Sequence, residues 1–152
     1  MKTKIWAHRG SSAYAPENTL KAFALAMEQG ADGIELDVRL TADDQIVIAH
    51  DDRLDRISDG DGKICEKTLA QLREYDFSKL HPEYSPVRIA TLAEVYELLR
   101  PSNMIVNVEI KTSSYNYKRI EPMLIAMERD MGMSGRILYS DFNHYGLTEI
   151  RA

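Results

Sequence analysis

Gly33-Ile34-Glu35-Leu36-Asp37-Val38-Arg39-Leu40 alternates without a break. Successive side chains of a strand point to opposite faces. The stretch therefore predicts a strand with Ile34, Leu36, Val38 and Leu40 on one face and Glu35, Asp37 and Arg39 on the other. In an antiparallel sheet the charged face would simply be wet. Four other stretches argue against that, because each carries an apolar run into a chemically loaded C-terminal end: Ile5-Trp6-Ala7-His8, Ile46-Val47-Ile48-Ala49-His50, Ile105-Val106-Asn107-Val108-Glu109-Ile110-Lys111 and Ile137-Leu138-Tyr139-Ser140. Parallel β/α barrels build their sites from such strand ends.

Working outward, the first strand, Ile5 to His8, runs into the small-residue turn Arg9-Gly10-Ser11-Ser12. Pro16 is expected to open a helix, with Leu20, Phe23, Ala24 and Met27 as its apolar stripe and Gly30 as a left-handed stop. A polar turn after Leu40 leads to a third strand, Ile46 to His50. Residues 51 to 90 lack the strand-and-long-helix rhythm and read as an insertion over one end of the barrel. Within it, Thr68 caps a short helix to Tyr75. Thr91 caps a helix through Leu99, Met104 to Ile110 is the fourth strand, Tyr117 to Met131 a helix, Arg136 to Ser140 the fifth strand, and a last helix starts at Asn143. The order β-α-β-β-insertion-α-β-α-β-α predicts an α/β fold with parallel strands and helical crossovers. The expected architecture is a TIM-type (β/α) barrel, incomplete at about five parallel strands, over one domain of 152 residues. A closed barrel takes eight strands and about 250 residues.

The net charge of −5 provides no basic footprint, which argues against nucleic acid as the main partner. The single cysteine, Cys65, supports no disulfide framework. No apolar run approaches the roughly 20 residues of a membrane span, and the apolar stretch after the basic N-terminus is too short for a signal peptide. A cytoplasmic protein is the expectation.

Glu35 and Asp37, two apart on a strand, project to the same side. Carboxylates that close repel unless a cation sits between them, and oxygen-rich sites suit Mg²⁺ or Ca²⁺. Glu109, near the end of the fourth strand, makes a third ligand; the alternative is a solvent-facing polar edge. His8 and His50 each end an apolar strand. Imidazole changes charge near neutral pH, so the two can act as general acid and base. Zinc lacks support from cysteine or a close histidine pair. Arg9 and Lys111 are cations beside these acids and point to a phosphate ester; the less favoured alternative is a salt bridge between each base and a carboxylate. Tyr14, Ser140 and Phe142 could line the site or pack. Glu17 and Asn18 are read as helix-start residues with capping as their role.

His8-Arg9-Gly10, Pro16-Glu17-Asn18-Thr19-Leu20, Glu35-Leu36-Asp37-Val38, His50-Asp51, Thr91-Leu92-Ala93-Glu94-Val95 and Glu109-Ile110-Lys111, in that order and spacing, resemble the glycerophosphodiester phosphodiesterase family from about Ile5 to the last residue. The resemblance implies a TIM barrel, a divalent cation, Mg²⁺ or Ca²⁺, and hydrolysis of a small-molecule glycerophosphodiester to glycerol 3-phosphate and an alcohol. It implies Glu35, Asp37 and Glu109 as metal ligands, His8 and His50 as the acid–base pair, and Arg9 and Lys111 as phosphate-binding cations. In the family the glycerol hydroxyl displaces the alcohol and water opens the resulting cyclic phosphate. Family members continue through three more βα units, which supply pocket walls. Two open strand edges are therefore expected, and with them self-association, a second copy completing the barrel being one form of it. A partial barrel that binds a cation or glycerol phosphate without turnover is the competing expectation. A phospholipid-cleaving relative ranks below both, since no membrane-docking helix is visible.

Overall fold

The computed structural model describes residues 3–111 and 120–151. Its strands are β1 (Trp6–His8), β2 (Gly33–Leu40), β3 (Ile46–Ile48), β4 (Ile105–Ile110) and β5 (Ile137–Asp141). The helices are α1 (Leu20–Glu28), α2 (Leu69–Leu72), α3 (Leu92–Leu99), α4 (Ile120–Asp130) and α5 (His144–Arg151). Short 3₁₀ turns occupy Ile64–Glu66 and Pro82–Tyr84.

The sheet runs β1-β2-β4-β5, all parallel. Its register sets the two faces. Ala7, Ile34, Val106 and Ile137 lie abreast, as do Val38, Ile110 and Asp141. This face is sealed by Phe23 and Ala26 of α1, Leu92, Val95, Tyr96 and Leu99 of α3, and Ile120 and Leu124 of α4. Each of these helices presents its apolar residues at helical spacing. Thr19 caps α1, and Gly30 ends it at φ +76°. Thr91 and Glu94 form a reciprocal capping box on α3. The opposite face carries His8, Glu35 and Asn107 abreast, then Asp37, Glu109 and Ser140 one step further along.

The sequence reading is corrected in three places. β3 is antiparallel to β2, so the parallel strands number four among the described residues. Residues 41–45 are too short for a crossover, and two strands joined by so short a link can only fold back. Second, the helix expected from Pro16 starts at Leu20, because Thr19 supplies the capping oxygen to Ala22 N–H. Third, residues 51–90 are not merely irregular. Leu54, Ile57, Ile64, Leu72, Phe77, Val87 and Ile89 form a second apolar cluster with Val47 and Ala49 of β3. The helix read from Tyr117 lies outside the described residues until Ile120. Among the described residues, no helix is long and apolar enough to cross a membrane.

Candidate active site

β2 and β4 build the centre. Their register sets Asp37 directly beside Glu109, with Glu35 one step below on the same face. One carboxylate oxygen from each of Glu35, Asp37 and Glu109 lies within 4.8 Å of the others. This is not a wet face, since Asp37 is 1% exposed and Glu35 8%. Burial, then the neighbouring Asp37 charge, pushes Glu35 up to about 7, with a smaller push from Glu109 and against the pull of the Arg9 N–H. That N–H donates to Glu35 Oε2 at 3.0 Å, while Glu35 Oε1 is buried without a hydrogen-bond partner.

Three carboxylates, one with a bare buried oxygen, are the donor set of a hard divalent cation. The residues fit Mg²⁺ or Ca²⁺ and offer zinc neither cysteine nor imidazole within the trio. In this structure Lys111 supplies the countercharge. Its Nζ is 2.9 Å from Asp37 Oδ1 and also donates to Glu109 Oε1. Burial works against the charged lysine, but these hydrogen bonds and charges outweigh it and hold Lys111 above the usual lysine value.

Arg9 and Asn18 sit on the adjoining loops, and both have left-handed backbones, φ +59° and +57°. Such conformations are uncommon for residues with a Cβ and gather at functional sites. Here Asn18 N–H donates to the Arg9 carbonyl, tying the two loops together. The Asn18 side chain donates to Asp37 Oδ2 at 2.7 Å and fixes its carboxylate. Arg9 Nη1 donates to Glu17 Oε1 at 3.1 Å, and its Nε lies 3.5 Å from Asp37 Oδ2. Gly10 follows at φ +77°, and a Cβ there would stand 2.7 Å from that of Ala22, so the turn admits only glycine. Asn18 and Glu17 are thus side chains of the site, not caps. Their residue types do not distinguish the two roles, and only their adjacency to Pro16 and Thr19 in the quoted motif marked them.

The histidines approach along one edge of β2. Glu35 O accepts from Arg9 N–H and Asp37 O from Ala49 N–H, so the end of β1 and the end of β3 meet on successive carbonyls of the same edge. His8 arrives from one direction and His50 from the other. His8 Nε2 is 3.7 Å from Glu35 Oε2, with its side chain 69% exposed. His50 Nδ1 is 2.7 Å from Asp51 Oδ1. The His50 carbonyl accepts from Nε and Nη2 of Arg39, at 3.1 and 2.5 Å, a contact the sequence reading did not anticipate. Ser140 donates to Asn107 at the rim, and Phe142 stands out 81% exposed with its ring centroid 5.9 Å from Lys111 Nζ. Tyr14 is exposed.

Parallel strands β2 and β4 bring together an acidic trio beside Lys111, His8 and Arg9 follow from parallel β1, and His50 follows antiparallel β3; the arrangement is that of a candidate β/α-barrel site for a hard cation. The profile of the glycerophosphoryl diester phosphodiesterase family matches residues 8–151, and the chain belongs to that family. It is 43% identical, over 99% of its length and 63% of the relative's, to a glycerophosphodiester phosphodiesterase of Caldanaerobacter subterraneus subsp. tengcongensis. Among solved structures it is similar to a glycerophosphodiester phosphodiesterase of Agrobacterium tumefaciens, with TM-score 0.88 and 33% identity over 98% of this chain and 63% of the other. It is also similar to an Oleispira antarctica phosphodiesterase in complex with the product sn-glycerol-3-phosphate, with TM-score 0.83 and 37% identity over 98% and 61%. The chain therefore spans less than two thirds of the length of these relatives.

Proposed function

We propose that the chain hydrolyses glycerophosphodiesters to glycerol 3-phosphate and an alcohol in a cation-dependent reaction, and that residues 1–152 form one partial barrel domain with the segment at 51–90 inserted. The observation that carries the proposal is the convergence of Glu35, Asp37 and Glu109, from two strands, within 4.8 Å. The product complex of the Oleispira relative supports the substrate class.

Glu35, Asp37 and Glu109 would hold Mg²⁺ or Ca²⁺. When bound, such an ion polarises phosphoryl oxygens and stabilises the charge that develops on them. Lys111, now paired with Asp37 and Glu109, and Arg9 are the cations that would bind the phosphate. One imidazole takes the proton of the attacking glycerol hydroxyl as the other protonates the departing alkoxide. The bond to the alcohol breaks as the ring bond forms. In the second step the roles exchange, with water as the attacking group. The His50 Nδ1 contact with Asp51 leaves Nε2 as the nitrogen that exchanges the proton.

The test is turnover of sn-glycero-3-phosphocholine by the 152-residue chain. Chelation abolishes it and Mg²⁺ or Ca²⁺ restores it, while His50→Ala lowers kcat by about 100- to 10,000-fold, the usual range for a lost general acid or base. Cation binding with no turnover overturns the reading in favour of a binding-only chain. The lone Cys65 accords with a cytoplasmic setting.

A further inference from the structure

Two carboxylates of the site meet the same guanidinium. Arg56, in the inserted segment, donates from Nε to Asp51 Oδ2 at 2.5 Å. Its other two nitrogens clamp Glu17, with Nη1 to Oε2 at 2.9 Å and Nη2 to Oε1 at 2.7 Å. Asp51 in turn holds His50 Nδ1, and Glu17 holds Arg9. Arg56 is therefore the midpoint of a continuous chain, His50–Asp51–Arg56–Glu17–Arg9, which joins an imidazole at the end of β3 to the loop after β1. Five donors in a rigid plane can serve two carboxylates at fixed angles, which a lysine cannot.

We infer that Arg56 is a positioning residue: by fixing Asp51 it sets the tautomer and aim of His50, and by fixing Glu17 it sets the guanidinium of Arg9. The inference rests on the acid–base role given to His50 above. An ionised carboxylate only accepts. Burial works to raise Asp51, but the Arg56 hydrogen bond, then the His50 contact, outweigh it and keep Asp51 below the usual aspartate range. His50 must then carry its proton on Nδ1 for the 2.7 Å contact to be a hydrogen bond. Without Arg56, Asp51 loses the donor that orients it and the imidazole is free to turn.

The test combines a ring readout with kinetics. In the ¹⁵N-labelled, metal-free 152-residue chain at mildly alkaline pH, long-range ¹H–¹⁵N spectra report the tautomer of each histidine. Arg56→Met moves His50 from the Nδ1–H toward the Nε2–H form and leaves His81 and His144 unmoved. Arg56→Lys, which keeps the charge without the fork, recovers part of the shift. With Mg²⁺ and sn-glycero-3-phosphocholine, Arg56→Met lowers kcat by about 10- to 100-fold, the range for losing a partner that orients a functional side chain, and raises KM as Arg9 loses the Glu17 anchor that Arg56 holds. A lower melting temperature with the His50 ring unmoved makes Arg56 a packing residue and overturns the inference. An unchanged kcat in an active parent does the same. If the parent chain turns nothing over but the ring shift occurs, the inference stands and the proposed activity fails.

Discussion

The smallest units that matter are single side chains whose partners come from elsewhere in the chain. Asn18 aims Asp37 through a 2.7 Å hydrogen bond. Partners of this kind tune a cation site, so Asn18→Ala weakens Mg²⁺ or Ca²⁺ binding by about 10- to 100-fold in a calorimetric titration. Glu35 permits a pH prediction. Folded, it holds its proton up to about 7, against an ordinary value of 4.5. The folded chain then binds more protons than the unfolded one between those values, so this group's contribution to stability is whole below about 4.5 and falls as pH rises to about 7. Thermal melts in chelator lose stability across that window, Glu35→Gln flattens the slope, and added Mg²⁺ restores stability at the upper end. The acidic trio was legible in the sequence because strict alternation puts Glu35 and Asp37 on one face. Glu17 and Asn18 were not, because a helix start attracts the same residue types. Neither was Arg56, 39 positions from its partner Glu17, since no local pattern encodes that separation.

At the scale of elements, the direction of β3 is the main surprise and the main cause of the site. Periodicity identifies a strand but not its sense. The length of the connection at residues 41–45 carried that information, and the rhythm of the neighbouring units masked it. Helix starts with a full capping signal, Thr91 with Glu94 and Thr68 with Gln71, read correctly because the signal is local. Thr91→Ala removes the oxygen that caps α3 and costs about 1 kcal/mol in a denaturant titration. The inserted segment is anchored by Asp76, whose carboxylate accepts from Val87 N–H at 2.8 Å, Ser78 N–H at 3.0 Å and the Ser85 hydroxyl at 2.5 Å. Of these, the Ser85 hydrogen bond does most to hold Asp76 down at about 2, below its ordinary 3.8. Its stabilisation is complete above about 4 and is lost as pH falls through about 2. Asp76→Ala therefore raises hydrogen exchange across residues 54–89 at pH 7 while β2 and β4 stay protected, and the difference between variant and parent shrinks on acidification.

On the scale of the whole molecule, the two faces of the sheet differ in cover. Helices seal one, whereas on the other Leu138 is 53% exposed and Trp6 38%. The outer edges of β1 and β5 have no strand partner among the described residues. Exposed apolar surface beside unpaired edges promotes association. The 152-residue chain is expected to show concentration-dependent association by light scattering, reduced by Leu138→Lys; a monomer at every concentration counts against it. The meeting of β1 and β3 on one edge of β2 reaches furthest. One imidazole is carried by the parallel pairing of β1 with β2 and the other follows β3, whose place is set by the antiparallel register Val38–Ile48, Arg39–Val47 and Leu40–Ile46. A slip of that register by two residues would carry His50 along β2 and leave the acids of β2 and β4 where they are, so under the function proposed above the spacing of the two imidazoles is set by β3 and not by the acidic trio.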